Sequence, residues 1–455
     1  MDKKNLDLET ESIGKLLFNY SLPAIIATTA SSLYNIIDRI IIGQGVGPLA
    51  ISGLALTFPI MNLAVAFGTL VGAGASAMVS IRMGQKKRTE AIRILGNAFM
   101  LNIAIGIIFS VLTLIYLDPI LNLFGASDAT LPYARDFMKI ILMGNVITHV
   151  FFGLNNIMRA SGYPAKAMVS ILLTVVINII LAPLFIFVFH WGIKGAAFAT
   201  VISQTVGMTW VLIHFFSKKP YIHFYRSGCR ISFRIIRDIF AIGLSPFLIH
   251  TVSSLVAIIM NLQLKVFGGD FAIGAYGIII SITSFIVMVV FGLTQGMQPI
   301  VGYNYGAQHI DRVVATLKIT ILWATAISAF GFLAAMIFPV QITHAFTTDA
   351  VLEAFTVRGM RLTMAAFIFV GLQVVVSNFF QSIGKAKIAI FLSMSRQVIF
   401  LIPFLLILPH FYKLDGVWIA SPAADFLAAL TTVGILLFNY NKLKKNKLNS
   451  DILNY

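Results

Sequence analysis

Cysteine occurs once in the 455 residues, at Cys229. A disulfide framework and a cysteine-based metal site are therefore excluded, and Cys229 reads as incidental rather than reactive. Charge is scarce too. Only 11% of residues are charged, against about 25% in a soluble domain, which excludes an ordinary water-soluble fold. Acids are scarcer still, with 17 Asp and Glu beside 33 Lys and Arg. There is no HExxH, no GxSxG and no Cys/His ligand cluster, so an intramembrane enzyme has no motif to support it. The N-terminus, MDKKNLDLETESIGK, has no apolar h-region and reads as a cytoplasmic tail rather than a signal peptide.

What remains is apolar. Hydrophobic residues make up 58% of the chain, and the mean hydropathy is +0.92. A membrane-crossing helix needs ~20 mostly apolar residues. Twelve windows meet this, at 16–42, 51–80, 92–117, 133–157, 166–190, 195–216, 235–264, 271–297, 313–338, 356–381, 388–411 and 416–440. The fold class expected is all-α integral membrane.

The net charge of +16 raises nucleic acid as a partner, but the cations follow topology instead. Alternate connections, taken with both termini, hold 25 of the 33 basic residues, with Arg396 counted among them; the other connections hold seven, and Arg39 lies inside a span. The positive-inside rule then places both termini and the basic loops in the cytoplasm. No nucleic-acid partner is expected.

The two halves match at an offset of about 222. Gly74 falls on Gly296, Gly84 on Gly306, Asn156 on Asn378 and Gly162 on Gly384, while Pro23 faces Pro246 one residue off. Each unit holds six spans, so both enter the bilayer the same way round, with a pseudo-two-fold axis along the membrane normal. The organisation expected is an N-terminal tail (1–15), an N-lobe (16–216), a cytoplasmic linker (217–234), a C-lobe (235–440) and a C-terminal tail (441–455).

Among the 17 acids only Asp38 and Asp425 lie well inside apolar spans. A carboxylate at membrane depth costs roughly 2.5–3.5 kcal/mol on insertion scales, and such groups mark ion or substrate paths. Thr28, Ser31, Asn35 and Asp38 are spaced 3, 4 and 3, which puts their oxygens on one helical face. That ladder suits a proton or a sodium ion. The plainer alternative is a structural aspartate satisfied by neighbouring helices. Pro23, fifteen residues earlier, predicts a kink and is a candidate hinge.

The segment Leu-Tyr-Asn-Ile-Ile-Asp38-Arg-Ile-Ile-Ile-Gly43 strongly resembles the multidrug and toxic compound extrusion (MATE) transporters, in their bacterial DinF-like and multidrug-resistance branch. The resemblance extends through Pro23, Arg159-Ala-Ser-Gly162, Gly195-Ala-Ala-Phe-Ala-Thr200, Gln298-Pro299, Gln381-Ser-Ile-Gly384 and Pro422-Ala-Ala-Asp425. It implies two six-helix lobes and a secondary antiporter that expels lipophilic, often cationic compounds in exchange for H⁺ or Na⁺ by alternating access. It implies no cofactor beyond the coupling ion. It also implies an N-lobe ion site, which Asp38, Asn178 and Thr200 match by motif. One member departs from the pattern: Ala182 stands where the pattern places a second aspartate. Coupling by a proton, or a weak sodium site on Asp38, Asn178 and Thr200, both stay open.

Further candidates line the expected substrate cavity: Tyr34, Met260, Asn261, Met288, Gln373, Ser377, Asn378, Gln381 and Asp425. For Asp425, a second functional acid and a helix-orienting role stand level. For the amides, interhelical hydrogen bonding is the commoner use. The partners expected are small lipophilic cations and membrane lipid, with the chain acting as a monomer. A lipid-linked oligosaccharide flippase and a channel are the competing transport readings.

Overall fold

The computed structural model describes residues 8–124, 126–217, 220–225, 231–344, 346 and 349–453, without the side chains of residues 35, 36, 48, 52, 270 and 440–453. Cys229, residues 1–7 of the N-terminal tail and the side chains of the C-terminal tail fall outside this set, as does part of the linker. Among the described residues all regular structure is helical. Lipid offers no partner to a backbone N–H or C=O, so an apolar chain crossing it must close its hydrogen bonds within each helix.

The elements in order are α1 (Ile13–Gly45), α2 (Pro48–Gly84), α3 (Arg88–Ile115), the short α4 (Leu117–Leu123), α5 (Leu131–Ala160), α6 (Pro164–Pro183) and α7 (Gly192–Phe216). The second half follows with α8 (Phe233–Gly306), α9 (Ile310–Ile337), the short α10 (Pro339–His344), α11 (Ala350–Thr363), α12 (Val370–Ser382), α13 (Ala386–Met394) and α14 (Ile402–Leu453). Among the described residues, with α8 divided at Gly269 (φ 68°), ten helices are long and apolar enough to cross a membrane, and α11 with α12 form one more span bent by 51°. The tenth helix, Ala386–Asn439, has 54 residues, roughly 80 Å at 1.5 Å each. That is far more than a ~30 Å hydrocarbon core, and the helix breaks at Lys413 (φ 51°). It is two spans. Twelve crossings result, as the sequence windows predict.

The turns repeat as the sequence does. Positive φ occurs at Gly47 and Gly269, at Lys86 and Gln308, and at Gly162 and Gly384, each pair 222 apart; His190 and Lys413 follow at 223. Left-handed backbone at matched positions is a stronger mark of duplication than matched apolar residues, because hydrophobicity alone does not require it.

Two compact units divide the chain. One holds residues 1–9 and 26–250, the other 10–25 and 251–455. The first stretch of α1 and the first stretch of α8 are thus each grouped with the other half of the sequence, unlike the simple boundaries expected. Matched glycines make the close contacts. In the first unit a Cβ on Gly74 would stand 2.2 Å from the Ile239 carbonyl oxygen. In the second a Cβ on Gly296 would stand 2.2 Å from Ser21 Oγ. Only hydrogen fits at either crossing. Ser21 Oγ donates to the Leu293 carbonyl at 3.1 Å and fixes the second contact. The first unit's core includes Ile42, Phe109, Phe137, Met138 and Leu142; the second centres on Met260, Ile279, Met360 and Trp418.

Candidate functional site

Asp38 sits in the C-terminal part of α1, buried at 9% exposure. Its Oδ1 is buried and accepts no hydrogen bond from any described residue. Arg39, the next residue, is exposed, since neighbours in sequence point to different sides of a helix. One turn before Asp38, the Tyr34 hydroxyl meets Thr200 Oγ1 on α7 at 3.2 Å. Asn178 Nδ2 on α6 donates to the same Thr200 oxygen at 3.1 Å. Thr200 Oγ1 in turn donates to the Ala196 carbonyl at 3.1 Å. Three helices of the first unit are thereby joined through one hydroxyl, one turn from an unpartnered carboxylate oxygen.

Asn178 and Thr200, matched from the resemblance, are therefore brought together directly. Tyr34, expected in the substrate cavity, is part of the same chain of bonds. The Asn35 side chain lies outside the described residues. Thr28 and Ser31 are half-buried on the same helix. Ala182 is fully buried against Phe185 and Ala199, with Ile41, Leu181 and Leu184 packed around them. The position of the expected second carboxylate is thus closed by hydrocarbon. Pro23 lies within α1, which runs on through it.

The second unit holds the other intramembrane acid. Asp425 on α14 is 2% exposed and pairs with Arg396 Nε. Arg396 belongs to a π-turn, Ser395–Leu401, between α13 and α14. Its count among the cytoplasmic basic residues is corrected here: it lies inside the eleventh span. Spacing already held the signal. An arginine inside the apolar window 388–411 needs a carboxylate, and Asp425 is the only acid well inside an apolar span of the second half.

The remaining candidates divide by what they touch. Gln373 Nε2 donates to the Asp425 carbonyl at 2.5 Å, and Ser377 Oγ meets Ser393 Oγ at 2.6 Å. Both bonds join neighbouring helices. Asn378 Nδ2 returns to the Val374 carbonyl of its own helix at 2.9 Å. Gln381 is buried, Met288 is half-buried and Asn261 is exposed. Met260, offered as a cavity residue, is 2% exposed inside the apolar core of the second unit.

A profile of the MatE family matches residues 23–184 and again residues 246–407. The chain belongs to the MatE family. Its two matched segments begin at Pro23 and Pro246 and end 223 residues apart, so the family's unit is the same repeat that the turns display. Multidrug export protein MepA of Staphylococcus haemolyticus (strain JCSC1435) is 28% identical over 446 residues, 98% of either chain. MepA of Staphylococcus aureus (strain N315) is 27% identical over 442 residues, 97% of either chain. The solved structure of the MATE multidrug transporter DinF-BH in complex with rhodamine 6G superposes with a TM-score of 0.89 at 37% identity. That match covers 95% of this chain and 97% of the other. As a MatE-family protein the chain is a multi-span membrane transporter and not an enzyme.

Proposed function

We propose that this protein exports lipophilic, cationic small molecules across the bacterial inner membrane in exchange for an ion, by alternating access between its two lobes. The MatE match supports transport, the MepA relatives support drug export, and the rhodamine 6G complex of DinF-BH supports an amphiphilic organic substrate. Asp38 is assigned the coupling, and the observation that carries this is its buried Oδ1, which no described residue satisfies. A buried carboxylate without partners is expensive, and a proton or a cation removes that expense.

Proton coupling fits the surroundings better than sodium. A sodium ion needs several oxygen ligands, whereas Ala182 supplies a methyl group where a second carboxylate is expected and its neighbours are apolar. A proton needs only Asp38. Entry of H⁺ from outside neutralises Asp38, loosens its hold on a cationic substrate, and is followed by release of that proton to the cytoplasm. Asn178 and Thr200 shape the site, and Pro23 lets α1 rearrange. The chain works as a monomer.

Purified protein in proteoliposomes, given H⁺ and Na⁺ gradients separately, tests this reading. An inward proton gradient is expected to drive ethidium export, an inward sodium gradient to add nothing, and Asp38→Asn to abolish export while the protein still elutes as a folded monomer. Full export by Asp38→Asn would remove Asp38 from the mechanism; export driven by sodium alone would replace the proton.

A further inference from the structure

The two units finish one repeated turn differently. Each turns through a left-handed glycine, Gly162 (φ 96°) in the first and Gly384 (φ 75°) in the second. The following N–H closes the turn on the Met158 carbonyl in one case and on the Phe380 carbonyl in the other. In the second unit the residue after the glycine is Lys385. Its Nζ lies 5.9 Å from the centre of the Phe380 ring and donates to Asn439 Oδ1 at 3.3 Å. A lysine thus reaches from the start of α13 across to α14. The positions 222 earlier hold Tyr163 and Ser217. There a cavity of about 270 Å³ stands between the start of α6 and the end of α7.

Its lining is basic and aromatic. Lys166, in the first turn of α6, holds its Nζ 5.2 Å from the centre of the Tyr163 ring, and that ring meets His214 edge-on at 4.6 Å. Trp210, Ile213 and Ser217 stand opposite on the α7 side. No acid is among the residues lining it, so the charge of Lys166 is not neutralised there. α6 opens without a side-chain cap, which places the positive end of its dipole at the same spot.

The rim decides what such a cavity holds. Phe198, Ile202, Val206, Trp210, Ile213 and Phe216 recur every three or four residues along α7, and all are exposed. An exposed apolar stripe on a spanning helix faces acyl chains, and it runs directly into the cavity. Trp and Tyr mark the level of the headgroups, and basic pockets between helices at that level take anionic ones. The volume also falls below the ~300–1,000 Å³ common for small-molecule sites.

We infer that this cavity seats the phosphate of an anionic phospholipid, with Lys166 and the start of α6 facing the phosphate and the acyl chains lying along the α7 stripe. Lipid held there joins the ends of α6 and α7, the helices that carry Asn178 and Thr200. A soluble phosphate shares the headgroup chemistry but gains nothing from the stripe. The inference concerns lipid and is independent of which ion drives transport.

Native mass spectrometry of the full chain, released from neutral detergent, reads the dissociation constants of single bound lipids. Phosphatidylglycerol is expected to bind about fivefold tighter than phosphatidylcholine, the effect of one lysine at an anionic surface. Lys166→Gln should reduce that ratio to about one, and because Lys166 is exposed the variant should fold. The double variant Tyr163→Lys/Ser217→Asn copies the pair that the second unit uses. It should abolish the preference by filling the cavity, although it adds a positive charge. Lys318→Gln, at another exposed lysine on the basic side, should leave the ratio unchanged. Survival of the preference in either cavity variant overturns the proposal, as does equal loss in Lys318→Gln, which would reduce the effect to diffuse charge. Displacement of the bound lipid by millimolar inorganic phosphate at constant ionic strength overturns it too, by making a soluble anion the occupant.

Discussion

A single oxygen decides how the first unit is read. Asp38 Oδ1 is buried and unsatisfied among the described residues, whereas the polar groups one turn away are joined through Thr200. Their effects on mutation should therefore separate. Thr200→Val removes the acceptor for Asn178 and leaves a 2% exposed amide without that bond. The cost expected is about 1–3 kcal/mol, visible as a lowered melting temperature of the purified protein. Tyr34→Phe gives up one part-buried hydroxyl bond and should cost about 1 kcal/mol or less. Neither should abolish export as Asp38→Asn does; equal loss of export in all three would mean that the chain of bonds itself carries the coupling. Asp38, Asn178 and Thr200 were legible in the sequence because a polar residue inside an apolar run is conspicuous, and the motif supplied the rest. The part played by Tyr34 was not. Periodicity places a residue on a face, but it does not name the hydroxyl across the gap. Arg396 is the ninth residue of its apolar window, too deep for a loop cation, and the fold pairs it with Asp425.

At the scale of helices, glycine positions explain what the hydrophobic pattern leaves open. Both matched glycines sit where the first stretch of α1 or α8 crosses a partner. A side chain on Gly74 meets a backbone carbonyl, and one on Gly296 meets Ser21 backbone atoms at 2.5 Å as well as its hydroxyl. Backbone cannot swing aside like the end of a long side chain. Gly74→Val and Gly296→Val are each expected to cost about 3 kcal/mol or more, above the usual 1–3 kcal/mol for overpacking. The checks are monomer yield by fluorescence-detected gel filtration and the melting temperature. Gly434, where an added Cβ would meet nothing within 4 Å, serves as the tolerant control for valine. Similar losses at all three sites would show that valine is rejected for a general reason and not for these crossings. The sequence displayed the pairing of Gly74 with Gly296 as a repeat. It did not display that the crossings place residues 10–25 and 233–250 with the opposite halves of the chain, because a linear window carries no partner information.

Over the whole molecule, charge follows the spans more closely than a basic count alone conveys. Taking alternate ends of the twelve spans, one end carries Arg135, Lys139, Lys194, Lys265, Arg358, Arg361 and Lys413. The same end carries seven acids: Asp118, Asp128, Asp136, Asp270, Asp349, Glu353 and Asp415. Its formal charge is zero, and the pairs are physical. Arg135 grips Asp118 at 2.7 Å, Lys194 reaches Asp136 at 3.3 Å, and Arg358 holds Asp415 at 2.5 Å. The whole excess of +16 therefore gathers toward the opposite end, which also bears both termini. Lys and Arg near short loops resist translocation, whereas acids contribute little, so the neutral end is the one expected to face outward. A fluorescent-protein fusion at the C-terminus should fluoresce, since it folds in the cytoplasm, and an alkaline phosphatase fusion there should stay inactive. A cysteine placed at exposed Lys413, in a chain whose own Cys229 is changed to Ser, should react in intact cells with a thiol reagent that does not cross the membrane. The opposite pattern would invert the orientation and with it the direction of coupling, because Asp38, seven residues from the end of α1 at Gly45, would then take its proton from the cytoplasm.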